Sequence, residues 1–220
     1  MKKTIITLGL TMLAGITAFG QEAQKTTKPS YASLGPVGGF GHSWMSNMDG
    51  QQFKPSAHLG VAFIYSRYEH WGWGANLTAS HEGYSNEYMW GGDRYRRSVD
   101  PVYLRLAPRA YYFFGSYGDN VRPKLYLGPS VGVKVQEDQY TTNITNNTTD
   151  AVMATPTNTQ MYRTMDLGAE GGAGVNVKVA PRTWLNLDAN YYQGLLDVTK
   201  NGATHLNQNV RFNVGVMMGL

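Results

Sequence analysis

The chain has 220 residues, 42% of them hydrophobic and only 15% charged, with 26 Gly, 15 Tyr and 5 Trp. One domain suits that length. With no cysteine it holds neither disulfides nor thiolate metal sites, and a net charge of +4 from 19 scattered basic residues is no footprint for nucleic acid.

Residues 1–20, MKKTIITLGLTMLAGITAFG, have the parts of an export signal: Lys2 and Lys3, an apolar stretch from Ile5 to Phe19, and the small-x-small triplet Ala18-Phe19-Gly20 before Gln21. Cleavage there lowers the charge to +2. A membrane anchor is the alternative, but the stretch contains Thr and Gly and is shorter than the ~20 residues of a spanning helix. Residues 21–33 read as a flexible polar lead-in, and 34–220 as one folded unit. Nothing in that unit is an apolar run of helix-spanning length, so a membrane could be crossed only by a closed barrel, in which every backbone group is paired.

The first strand is expected at 36–45, where Gly38, Gly39 and Gly41 blur the faces. The second sets Ala57, Leu59, Val61, Phe63 and Tyr65 against His58, Gly60, Ala62, Ile64 and Ser66. The third sets Trp71, Trp73, Ala75, Leu77 and Ala79 against Gly72, Gly74, Asn76, Thr78, Ser80 and Glu82. The fourth faces Leu104, Leu106, Ala110, Tyr112 and Phe114 one way, with Tyr103, Arg105, Arg109 and Tyr111 the other. The fifth divides Leu125, Leu127, Val131, Val133 and Val135 from Lys124, Tyr126, Ser130, Lys134 and Gln136. The sixth divides Leu167, Ala169, Ala173, Val175 and Val177 from Asp166, Gly168, Glu170, Asn176 and Lys178. The seventh divides Leu185, Leu187, Ala189 and Tyr191 from Asn186, Asp188, Asn190 and Tyr192. The eighth, VRFNVGVMMGL at 210–220, alternates to the last residue. A period of two repeated eight times is a β signature.

The less apolar face is rich in Gly, Ser, Asn and Tyr and carries one to three charges per strand, which suits a cramped polar interior better than a solvated exterior. Connections alternate long and short: 46–56, 68–70, 83–100, 116–123, 137–164, 180–182 and 198–208. Long external loops and short periplasmic turns produce that alternation; a lipocalin-like soluble barrel gives no reason for it. The expected fold is therefore all-β, an eight-stranded antiparallel up-and-down transmembrane β-barrel in the outer membrane, in contact with its lipid. Pro108 and Pro129 fall in mid-strand, where a closed barrel has no free edge, and local bulges are expected there.

The succession DPVYLRLAPRAYYFF, KLYLGPSVGVKV, DLGAEGGAGVNVKV and LNLDANYYQGLLDV resembles the PorT-like outer-membrane β-barrel domain of Bacteroidota over residues 34–220, most specifically at Leu127-Gly128-Pro129 and Tyr192-Gln193-Gly194-Leu195. The resemblance implies an OmpA/OmpX-like eight-stranded architecture and supplies no activity. It also implies that the last strand carries a signal for the barrel-assembly machinery, with Asn213, Gly215, Met218 and Leu220 at the matching positions; Leu220 replaces the more usual aromatic.

No HExxH, GxSxG, P-loop or ligand-spaced histidine pair is present, so neither cofactor nor metal is expected. A lipid-modifying enzyme could draw on His42, Ser43 and Glu82, but neighbours on a strand point to opposite faces. Glu82, Arg105, Arg109, Lys134, Asp166, Glu170, Asp188 and Arg211 are expected to form an interior polar network, a salt-bridged plug in preference to a channel lining, because eight strands enclose little more than side-chain space. In 83–100, Tyr88, Trp90, Arg94, Tyr95, Arg96 and Arg97 are residue types that dominate binding hot spots, or else an aromatic and basic collar at the lipid headgroups. The Thr/Asn-rich stretch 137–164 reads as a mobile loop. The reading is a barrel with a structural or surface-binding role, its partner an unknown protein or surface ligand at the external loops; an accessory barrel of a secretion system is a further alternative.

Overall fold

The computed structural model describes residues 31–146, 148–151, 163–199 and 204–220. The expected export signal, all but the end of the lead-in, and the centre of the 137–164 connection lie outside the described residues. The described chain forms eleven strands: β1 (Ala32–Met45), β2 (Gln51–Gln52), β3 (Pro55–Tyr65), β4 (Trp71–His81), β5 (Tyr84–Trp90), β6 (Asp93–Phe113), β7 (Val121–Asn143), β8 (Thr148–Ala151), β9 (Met165–Ala180), β10 (Thr183–Gly194) and β11 (Asn207–Gly219).

Eight of them form a ring. β1, β3, β4, β6, β7, β9, β10 and β11 pair antiparallel in that order, and β11 returns to β1 from Ser33↔Gly219 to Met45↔Asn207. The barrel is inverted relative to a water-soluble one. Leu127 is 66% exposed on the outside while Arg105 is 1% exposed within. Outward aromatics gather at both ends: Phe63, Tyr65, Trp71, Trp73 and Tyr112 by the short turns, and Phe53, Trp44 and Tyr191 by the long connections. Such girdles flank the apolar band of a membrane-spanning barrel. No helix among the described residues is long and apolar enough to cross a membrane.

Three local expectations change. β1 begins at Ala32, four residues before the expected start, because Ala32 to Pro36 pair with Tyr65 to Val61 of β3. The connections 83–100 and 137–164 are, over their described parts, largely strand. β6 runs 21 residues and β7 23, about twice what a tilted strand needs to span a bilayer, and the surplus leaves the barrel as a sheet in the order β2-β5-β6-β7-β8. Its hairpin turns on Gly91 and Gly92, with φ of 60° and 89°. Two consecutive positive-φ residues make the tight turn whose twist matches the flanking strands.

The prolines produce no bulge. Register shifts occur at Val102/Tyr103 and Thr183/Trp184 instead. The β6–β7 pairing passes from Leu106↔Val131 to Ala110↔Leu127 in constant register, which sets Pro108 directly opposite Pro129. Both missing donors thus fall in one interruption of the wall. Gly128 fits there because a Cβ would lie 1.9 Å from the Pro108 carbonyl oxygen.

Candidate functional site: the lumen and the outer sheet

Alternation sends one residue in two inward, and the inward set here is stratified. At the end nearest the long connections lies an apolar layer of Met45, Tyr84, Val99 and Val198, with Met48 packed on it. Val198 donates its N–H to the His205 carbonyl, and the neighbouring Asp197 accepts the backbone N–H groups of Thr199 and His205 and the Thr199 hydroxyl. Partial burial would raise the Asp197 carboxyl, but these donors outweigh it and hold the group below its ordinary value. At the other end Val37, Ala62, Ile64, Tyr111, Phe113, Tyr126 and Met217 form a second apolar layer against Trp184.

Three ionic tiers lie between. In the first, the Arg105 guanidinium donates from Nε and Nη2 to both Glu82 oxygens at 2.6 Å, and from Nη2 to Asp166 Oδ2 at 2.5 Å. Asn207 donates to the same two carboxylates, Ser80 donates to Glu82, and the guanidinium stacks over Tyr103 and Tyr192. In the second, Glu170 accepts from Arg109 Nε at 2.6 Å and Arg211 Nη2 at 3.1 Å, while the Asn76 amide oxygen accepts from Arg109. In the third, Asp188 lies 3.8 Å from Lys124 Nζ and accepts from Tyr126, Asn186 and Asn213. The tiers hold Arg105, Arg109, Arg211 and Lys124 against Glu82, Asp166, Glu170 and Asp188, four of each sign. Buried charge is tolerated only when so paired and hydrogen-bonded.

Seven of the eight expected lumen residues stand in these tiers. Lys134 does not: it pairs with Glu137 near the mouth, just before the β7 residue that slips register. Lys124, Asn207 and the inward tyrosines complete the tiers. They share the inward parity, but Asn and Tyr carry no formal charge to draw attention to them.

The six loop candidates divide between the two faces of the outer sheet. Tyr88 stacks on Tyr95 (centroids 5.8 Å apart, 17° between planes) and Trp90 meets Tyr95 edge-on at 6.0 Å. Arg97, of the same parity, donates to Gln139. Arg94 and Arg96 are on the opposite face and both reach Glu87. At the tip Trp90 is 71% exposed and Met89 67%.

The residues considered for catalysis are not brought together. His42 sits outside, stacked between Trp44 and Phe53 and hydrogen-bonded to the Lys54 backbone. Ser43 is buried inside, donating to the Gly83 carbonyl, and Glu82 is committed to Arg105. On β11, Asn213 points inward to Asp188 and Leu220 points outward, 59% exposed. Among the described residues no group of His, Cys, Asp and Glu is arranged to hold a metal ion.

A family model described as outer membrane protein beta-barrel domain matches residues 19–200. No curated protein matches the chain by sequence. Among solved structures, Neisserial surface protein A is similar at 13% identity and TM-score 0.48, over 87% of this chain and 98% of that one. Ail, the attachment invasion locus protein of Yersinia pestis, in a complex with the heparin analogue sucrose octasulfate, is similar at 14% identity and TM-score 0.42, over 85% and 99%. Outer Membrane Protein W of E. coli is similar at 11% identity and TM-score 0.42, over 89% and 100%.

Proposed function

The chain belongs to the outer membrane protein beta-barrel domain family, and from that premise we propose that it is a surface-binding barrel with a closed lumen. One observation carries this reading: the outer sheet. β5, β6, β7 and β8 extend the wall beyond its membrane-spanning part, and the tip exposes Tyr88, Met89 and Trp90. A headgroup collar would need only the strand ends, whereas a paired sheet holds its aromatics at fixed positions away from lipid. Rigid aromatics beside arginines are the usual anchors of recognition.

The lumen supports the second half of the proposal, because ion pairs fill it and apolar layers lie above and below them. We assign no catalytic role, since His42 and Ser43 diverge. In this reading the chain is a PorT-like barrel of Bacteroidota, exported by cleavage near Gly20-Gln21. The barrel-assembly machinery receives it through Asn213, Gly215, Met218 and Leu220.

The test is display on intact cells. Cells carrying the wild-type barrel should adhere to members of an immobilised panel of glycans and matrix proteins, and cells carrying Tyr88→Ala, Trp90→Ala and Tyr95→Ala together, at equal surface level, should lose that adhesion. Adhesion unchanged in the triple variant would contradict the assignment to this tip.

A further inference from the structure

Inside the second tier is a cavity with room for about one water-sized occupant. Its lining includes His58, Arg105, Ser130, Glu170, Arg211 and Asn213. Several of their polar atoms have no protein partner: Arg105 Nη1, Arg211 Nε, Ser130 Oγ, His58 Nδ1 and Asn213 Oδ1. These are buried groups, with Ser130 0% exposed, Arg105 1%, Arg211 4% and His58 9%. We propose that the cavity is a binding site for one small monovalent anion of halide size, held by Arg105 Nη1, Arg211 Nε, the Ser130 hydroxyl and the His58 ring.

The chemistry of the lining decides between an anion and a water. A guanidinium has donors only, a serine hydroxyl turns its proton wherever an acceptor lies, and an imidazole donates from Nδ1 in one of its two neutral tautomers. Four residues of one lining with a donor atom left unpartnered favour an acceptor. Asn213 Oδ1 and the Glu170 carboxylate would favour a water, but both Glu170 oxygens already accept from arginines, and a neutral amide oxygen without a partner costs far less than a buried guanidinium N–H without one.

Net charge does not decide between an anion and a water. The second tier sets Arg109 and Arg211 against the single carboxylate of Glu170. The first tier carries the opposite excess, Glu82 and Asp166 against Arg105, with Asp166 Oδ1 left without a hydrogen-bond partner, so the tiers are neutral together. The site depends on side-chain geometry within the barrel and not on whether the lumen conducts or the outer sheet binds a ligand.

The test folds the full chain from urea into detergent micelles, at one ionic strength, in sodium chloride, sodium bromide or sodium gluconate, the last an anion too large to enter. Thermal midpoints in the halides should exceed that in gluconate by roughly 3–5 °C, the size expected of a ligand at about tenfold its dissociation constant. Ser130→Ala, which removes one donor and no charge, should at least halve that difference. Crystals grown in bromide should show an anomalous peak within hydrogen-bonding distance of Arg211 Nε and Ser130 Oγ, a result that needs no variant to fold. Equal midpoints in the three salts with no such peak would mean that water fills the cavity, and would overturn the proposal. A halide effect undiminished in Ser130→Ala and without the peak would belong to the surface, and would overturn it equally.

Discussion

Glu170 is bound on each oxygen by a different arginine, Arg109 on one and Arg211 on the other, so its removal leaves two buried cations short of a partner. Glu170→Ala should destabilise the barrel by about 3–5 kcal/mol, the range seen when one member of a buried ion pair is deleted. Urea unfolding in lipid vesicles measures it; a loss below about 1 kcal/mol would mean that water reaches the arginines and solvates them. That Glu170 points inward was legible in the sequence, because a period of two assigns every residue of a strand to a face once one face is known. Its partners were not legible: which inward residues share a level depends on the stagger between strands, and the register slip at Val102/Tyr103 shows how one extra residue in β7 changes that level. Lys134 keeps the register of the tiers, level with Tyr103, but turns to Glu137 on the mouth side.

Among the elements, the β6–β7 seam departs most from regular pairing. Pro108 and Pro129 face each other, so either one replaced by valine restores an N–H opposite a waiting carbonyl. Pro108→Val or Pro129→Val should stabilise the barrel by about 0.5–1.5 kcal/mol, the net worth of one hydrogen bond, and slow amide exchange in neighbouring residues of both strands. Unchanged exchange would mean that the prolines do not cause the gap. The last strand makes a separate prediction. Leu220→Asp places a charge near the membrane boundary, where its direct cost is only about 0–1 kcal/mol, so a large fall in assembled protein, read by heat-shifted mobility in gels, would reflect failed recognition of β11 by the assembly machinery; normal levels would count against that role. The eight spanning strands were readable from alternation, and the β5–β6 hairpin could have been. Trp90-Gly91-Gly92-Asp93 between alternating segments is a two-residue turn signal, but charged and aromatic residues at nearly every position around it hid the change of face.

For the molecule as a whole, closure of the ring and inversion of polarity follow from the sequence, because only a closed barrel can put an apolar surface outward and still pair its backbone. Less legible was the division of labour along the axis. The apolar layers at the two ends of the lumen come from residues such as Met45, Val198, Val37 and Met217, which read in sequence as unremarkable members of a strand or connection and gain meaning only when the ring stacks them. With ion pairs between two such layers, the barrel should present a binding sheet and pass no ions. The most direct measurement is the current through a planar bilayer containing the purified full chain. A closed lumen gives no steady conductance above that of the empty bilayer; a stable, ion-selective current would overturn it and make Arg105, Arg109, Glu170 and Arg211 the lining of a channel.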